Sequence, residues 1–410
     1  SDFLREINSR GFIYQSSDID SLDDLMSKKK ITAYIGFDIT SDSLHIGSLV
    51  QLMLLYWLDH YDNNVLALVG GATTLVGDPS GKDATRKILN KEDIDKNILN
   101  ISNTFDKFID LKKNAKVVNN FEWLSEINYI EFLRDIGSRI TLNKMLTFES
   151  IKNRLEREQS LSILEFNYML LQAYDFFYLN KEYDCQLQMG GSDQWGNILS
   201  GIDLIRKISK KKAFGITSPL ITNSNGSKMG KTSEGAIWLD EKKLSNYDFY
   251  QFWRNVEDES VPKFLNLFTN LPLTEIKKLS NLKDKEINES KEILAFEVTK
   301  IVRGVTGAEE AKNISDNFFK SNIIDERARN YTINIKDIKE NTFTIINAVE
   351  KLNLVTSRGE TKRLIKSGGI KINDQIYIDS DFSLKKYISD KEIKVTIGKK
   401  KIGIIKFTNN

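Results

Sequence analysis

His45 is one of only two histidines in a chain of 410 residues. It stands in Ser43-Leu44-His45-Ile46-Gly47-Ser48, between an apolar run at 31–37 and a helical pattern of Leu49, Leu52, Met53 and Tyr56. A helix start offers unpaired backbone N–H groups and the positive end of the helix dipole, so an imidazole and a glycine there suit an anion such as phosphate. The same residues would also serve as a plain structural cap. A second cluster, Lys228-Met229-Gly230-Lys231-Thr232, follows the turn formers Asn223-Ser224-Asn225-Gly226. Two lysines and a threonine on such a loop can neutralise charge building up on a departing pyrophosphate. Standing alone they read as a basic surface loop; the pairing with His45 favours the chemistry.

Three further groups have suitable side chains. Cys185-Gln186-Leu187-Gln188-Met189 alternates strictly, which turns both glutamines to one face of a strand. Gly190-Gly191-Ser192-Asp193 follows, where glycines admit a ribose or base beyond a strand's carboxyl end and Asp193 can accept from ribose hydroxyls. Tyr168, Gln172 and Asp175, spaced i, i+4 and i+7, form a polar stripe on an otherwise apolar helix. From the residues alone that stripe faces water. Gly70-Gly71-Ala72-Thr73-Thr74 and Gly77-Asp78-Pro79-Ser80-Gly81-Lys82 make a glycine-rich loop without the spacing of a Walker phosphate loop. Lys82 and Arg86 on it could reach phosphates or be ordinary surface charge.

The elements that must position these groups alternate in the first half: β-like runs at 31–37, 65–70, 115–118 and 184–189, with helical patterns between them. That is the signature of an open parallel α/β sheet. From 246 to about 320 the pattern is wholly helical, polar residues around 328–341 read as a linker, and a small basic α/β block closes the chain. A length of 410 residues calls for two to four domains. One cysteine and two histidines leave no ligand cluster, so no protein-bound metal is expected. No apolar run reaches membrane-spanning length, and a cytoplasmic protein is expected; an organellar one that had shed a transit peptide would read the same. Net charge is +2, but residues 351–410 carry fourteen Lys or Arg against six Asp or Glu, leaving the rest faintly acidic. Such a tail suits either a polyanion such as nucleic acid or a lysine-rich solvated surface.

The combination resembles the class I aminoacyl-tRNA synthetases. His45-Ile46-Gly47-Ser48 is similar to their HIGH element and Lys228 to Thr232 to their KMSKS element. The remaining motifs resemble the bacterial-type tyrosyl branch: Tyr34-Ile35-Gly36-Phe37-Asp38, residues 68–78 with the following Pro-Ser-Gly-Lys, Leu171-Gln172-Ala173-Tyr174-Asp175-Phe176, Gly190-Gly191-Ser192-Asp193-Gln194-Trp195-Gly196-Asn197 and Phe249-Tyr250-Gln251-Phe252-Trp253. The resemblance runs over essentially the whole chain.

It implies a Rossmann-like catalytic domain at 1–222 with a dimerisation insertion at about 114–159, a KMSKS-type loop and connector at 223–240, and a helical anticodon-side domain at 241–325. A linker at 326–341 and a ribosomal-protein-type RNA-binding domain at 342–410 complete the order. Tyr34 and Asp175 would hold a tyrosine phenol, Asp78, Tyr168 and Gln172 its amino group, and Gln188 would shape the same region. Gly36, Asp38, Thr40, His45, Gly47, Ser48, Gly191, Asp193 and Lys231 would line the ATP site. His45, Lys82, Arg86, Lys228, Lys231 and Thr232 would meet the phosphates. The helical stripe then turns towards the amino acid instead of water. ATP would enter as its magnesium complex, and tRNA(Tyr) would meet Arg358, Lys362, Arg363, Lys366 and Lys371. A homodimer is implied, with Phe121, Trp123, Ile130, Phe132 and Leu133 as apolar contacts. Ser48 replaces the last histidine of HIGH, Ile39 a frequent proline, and Ile35 a frequent hydrogen-bonding residue.

Overall fold

The computed structural model describes residues 1–78, 91–158, 162–222, 229, 231–232, 235–320, 329–335, 338, 343–352, 354–355, 357–373, 375–380, 382–390, 392–398 and 401–408. The chain forms two compact units, Ser1–Ile314 and Ser315–Asn410.

The first unit is built on a six-stranded sheet of β1 (Gln15–Ser16), β2 (Thr32–Phe37), β3 (Asn64–Val69), β4 (Ala115–Asn119), β5 (Cys185–Gly191) and β6 (Phe214–Ser218). The order is β1-β6-β5-β2-β3-β4, with β1 antiparallel to β6 and the other pairs parallel. Parallel strands are covered on both faces, which is why β3 is buried from Val65 to Val69 and reads as an unbroken apolar run. From β2 the chain steps outward through β3 to β4, then returns to the other side of β2 with β5 and β6. The order therefore reverses between β2 and β5, and their carboxyl ends open a crevice.

Five helices border that crevice: α1 (Leu49–His60), α2 (Gly71–Val76), α3 (Phe121–Leu124), α4 (Ile163–Tyr183) and α5 (Trp195–Ser209). α1 is apolar nearly all round and correspondingly buried, from Leu49 and Val50 to Trp57 and Leu58. Four helices follow: α6 (Asn246–Arg254), α7 (Val261–Phe268), α8 (Leu273–Ser280) and α9 (Ile287–Lys320), the last kinked at Gly304, where φ is +81°. They do not form a core of their own. Trp253, Phe264, Phe268 and Leu294 belong to the same apolar cluster as Leu52 and Trp57 of α1. Arg10 fastens this junction, donating to the carbonyls of Asn266, Thr269 and Leu271 while its guanidinium lies 4.2 Å from the Trp57 ring centre.

In the second unit, β9 (Arg329–Asn334), β10 (Ile370–Ile372), β11 (Gln375–Ile376), β12 (Glu392–Ile397) and β13 (Lys401–Thr408) form a sheet ordered β11-β10-β12-β13-β9. It packs with α10 (Ile345–Lys351) and α11 (Arg358–Lys366) around Ile345, Val349, Ile365, Val395 and Ile405. Residues 329–334, expected within a linker, are a strand instead. Tyr331 and Ile333 alternate with polar neighbours and pack on the unit's core, and β9 lies parallel to β13. Among the described residues no helix is long and apolar enough to cross a membrane.

Candidate active site

A cavity of about 350 Å³ opens at the crevice between β2 and β5. Its wall contains Tyr34, Gly36, Asp38, Thr40, His45, Gly47, Ser48, Asp78, Tyr168, Gln172, Asp175, Gln188, Gly191 and Asp193. Every tyrosine- and ATP-site residue whose side chain is described is there; Lys231 of that set and Thr232 of the phosphate-meeting set are not among these. Those two form a short strand, β7 (Lys231–Thr232), paired with β8 (Gly235–Ala236); their side chains lie outside what is described. Lys82, Arg86 and Lys228 also lie outside the described residues. Met229, their neighbour in the lysine cluster, is buried against the cavity and donates its N–H to Ile221 O.

The inner end is a closed knot of polar side chains. Tyr34 and Asp175 are each only 1 % exposed. Asp175 Oδ1 accepts from Trp123 Nε1 at 2.8 Å and Oδ2 from Asn120 Nδ2 at 2.9 Å. Burial pushes the Asp175 carboxyl up to about 7, against those two hydrogen bonds, which favour its charged form. The Tyr34 hydroxyl is driven well above its ordinary range by burial and by the nearby Asp175 charge, and it finds no partner among the described residues. The helical stripe does not face water. Tyr168 is buried and donates to Asp38 Oδ2 at 3.1 Å, while Thr73 Oγ1 donates to Asp38 Oδ1 at 3.1 Å.

A second chain of bonds crosses the cavity from α4 to the glycine-rich loop. Asn197 Nδ2 donates to Gln172 Oε1 and Gln194 Oε1, and Gln194 Nε2 donates to Asp78 Oδ2 at 3.0 Å. The wall also holds a buried acceptor without a partner among the described residues, Gln188 Oε1. The two glutamines of β5 do not share a task. The register against β2 passes from Thr32↔Cys185 to Ala33↔Leu187 and so steps over Gln186. Gln186 Oε1 accepts the Thr32 N–H at 3.0 Å in place of the interrupted ladder. Gly70 closes the turn after β3 at a point where a Cβ would lie 2.4 Å from Thr73 Oγ1 and 2.7 Å from Asp38 Oδ1.

At the outer end His45 begins a single turn, Ile46–Ser48, ahead of α1. Its Nδ1 accepts the Gly47 N–H at 2.9 Å, which leaves the imidazole proton on Nε2. Gly47 lines the cavity as expected, but its N–H is taken by the histidine ring and is not one of the unpaired donors that a helix start offers. What Gly47 supplies is room: a Cβ there would stand 2.5 Å from His45 Cε1. The segment after β8 is strapped to this turn. Ile46 N–H donates to Ile237 O, Leu239 N–H to Leu44 O, and His45 pairs with Trp238 in an antiparallel bridge. Ile39 gives its N–H to Thr74 Oγ1 at 2.8 Å, a bond that a proline could not make.

Two relatives in sequence match this chain almost end to end. A "Tyrosine--tRNA ligase" of Wolbachia pipientis subsp. Culex pipiens is 49% identical over 98% of this chain and 96% of its own length. One of Pelagibacter ubique is 48% identical over 97% and 98%. Residues 26–320 match the family described as "tRNA synthetases class I (W and Y)". The chain belongs to the tyrosine–tRNA ligase family of class I synthetases. Among solved structures, a C-terminally truncated mitochondrial tyrosyl-tRNA synthetase of Aspergillus nidulans superposes with a TM-score of 0.70 at 31% identity, covering 77% of this chain and 94% of that one.

Asn120, Gln194 and Asn197 border the site without a role expected of them from the sequence, and Trp123 is a fourth, expected elsewhere. Trp123 and Phe132 were expected at a subunit contact, but both are buried within their own chain, Trp123 through its bond to Asp175. Tyr129, Ile130 and Leu133 are exposed. In the second unit Arg358, Lys362, Arg363, Lys366 and Lys371 are all exposed, and Arg358 pairs with Glu350.

Proposed function

We propose that the chain joins L-tyrosine to tRNA(Tyr) in two steps within this cavity. The observation that carries the reading is the buried Tyr34 hydroxyl, without a partner among the described residues, beside an Asp175 carboxylate already held by two donors. A phenol entering there completes both groups. Asp78, Tyr168 and Gln172, held by Gln194, Asn197 and Asp38, then receive the α-ammonium. ATP, entering as its magnesium complex, lies along Gly36, Asp38, Thr40, Ser48, Gly191 and Asp193.

In the first step a tyrosine carboxylate oxygen attacks the α-phosphorus, and the bond to the bridging oxygen of pyrophosphate breaks. No protein nucleophile is needed, so the side chains act by position and charge. His45 donates from Nε2 to the phosphates, and Lys82, Arg86, Lys228, Lys231 and Thr232 meet the charge that gathers on pyrophosphate. In the second step a ribose hydroxyl of the terminal adenosine of tRNA attacks the activated carbonyl and AMP leaves. The exposed cations of α11 and β10 bind tRNA phosphates, which makes affinity fall with salt. The helical block serves the anticodon side, and Tyr129, Ile130 and Leu133 face a second copy in a homodimer. Tyrosine-dependent exchange of labelled pyrophosphate into ATP tests the reading. A folded protein that binds tyrosine yet exchanges nothing would overturn it.

A further inference from the structure

Arg303 lies in α9 immediately before the Gly304 kink and is 9 % exposed. Its Nη2 donates to two main-chain carbonyls, Trp238 at 3.0 Å and Leu244 at 3.1 Å. The guanidinium lies 5.0 Å from the Phe249 ring centre, while Nε and Nη1 find no acceptor among the described residues. A buried cation with donors left over is expensive to keep. Burial draws its pKa down to about 10 even though Asp240 and Glu241 pull the other way. An apolar side chain would fill the space at lower cost, but it could not grip two carbonyls.

The gripped segment is the strap that runs past the His45 turn. Besides the backbone bonds of Ile237 and Leu239, Lys243 pairs with Asp42, just upstream of His45, and its ammonium lies 4.5 Å from the Trp238 ring centre. The Trp238 ring meets the His45 ring edge-on, with centroids 6.3 Å apart. One face of the strap thus carries the imidazole, and α9 holds the strap through Arg303.

We propose that Arg303 is a positioning residue for adenylate formation: by holding residues 238 and 244 it sets the place of the His45 imidazole against the phosphates. The proposal rests on the synthetase reading above. It makes the long helix of the helical block a part of the phosphate end of the site, and it leaves the tyrosine knot untouched.

The test uses the full chain with Arg303→Met and Arg303→Lys, measuring pyrophosphate exchange and, separately, equilibrium tyrosine binding. Arg303→Met is expected to lower kcat by about tenfold to a hundredfold, the scale of a misplaced reacting geometry. Tyrosine affinity stays within about twofold, and Arg303→Lys recovers part of the rate because one donor can still reach a carbonyl. In a His45→Ala background the same change adds no more than about twofold, since both act through one imidazole. Fully multiplying losses, or a fall in tyrosine affinity equal to the fall in rate, would overturn the proposal. Should Arg303→Met fail to fold, Arg303→Gln carries the same comparison with a planar donor retained. An inactive wild type defeats the synthetase reading itself, whereas an active wild type with an equally active variant defeats only the role of Arg303.

Discussion

The two ends of the cavity are built in opposite ways. At the inner end Asp175 is bonded by Asn120 and Trp123, and Asn120 also donates to Thr73, so the acceptor proposed for a phenol is oriented before any substrate arrives. At the outer end a half-buried imidazole sits on a three-residue turn held by a backbone strap. The difference suits the two tasks proposed for these ends. Choosing an amino acid requires buried groups that are costly to leave unpaired. Stabilising charge that exists only during reaction requires donors that meet phosphates as they move.

Substitutions that separate affinity from rate would break or sharpen this contrast. Asp175→Ala strands the Asn120 and Trp123 donors and removes the phenol acceptor, so kcat/KM for tyrosine falls on the order of a thousandfold. His45→Ala lowers the rate of adenylate formation by about a hundredfold, with tyrosine binding nearly intact. An equal loss of binding in equilibrium dialysis would erase the distinction between the ends. Asn120→Ala costs about tenfold in kcat/KM through one lost bond to a charged group. With the Asp175 carboxyl near 7, tyrosine capture rises with pH through that region as the proton leaves and the carboxylate becomes an acceptor. Removing the Asn120 donor disfavours the charged form, so the midpoint of the pH profile moves upward; a downward shift would contradict the assignment. The smallest effect is expected from Gly47→Ala, a loss of about threefold in kcat as the His45 ring gives way to a Cβ.

Much of the site was legible because its chemistry is local in the chain. The strand ends, the His45 turn and Asp193 follow from runs of a few residues, and the sheet follows from its apolar runs. The polar stripe of α4 was not legible from its residues. Amphipathic spacing is the same whether the polar side faces water or a wet cavity, and only the partners Asp38, Asn120, Trp123 and Asn197 decide it. Asn197 is brought to the stripe from α5, Asn120 from the end of β4 and Trp123 from α3, by the fold alone. The stepped register at Gln186 was invisible for a similar reason, since alternation assumes an unbroken ladder. β9 was hidden by composition: Arg329, Asn330, Thr332 and Asn334 outnumber Tyr331 and Ile333, and its pairing partner lies at the other end of the unit.

The apolar cluster shared by α1 and the helical block also bears on how the molecule melts. Trp57, Trp253, Phe264 and Leu294 lose their burial together, so the sheet and the four helices should share one heat-absorption step. Excising the helices would expose both faces of that cluster at once. The second unit encloses its own apolar residues, so a separate transition can belong to it. In calorimetry, then, the chain behaves as two cooperative bodies although its secondary structure suggests three, and the helical block is no portable module.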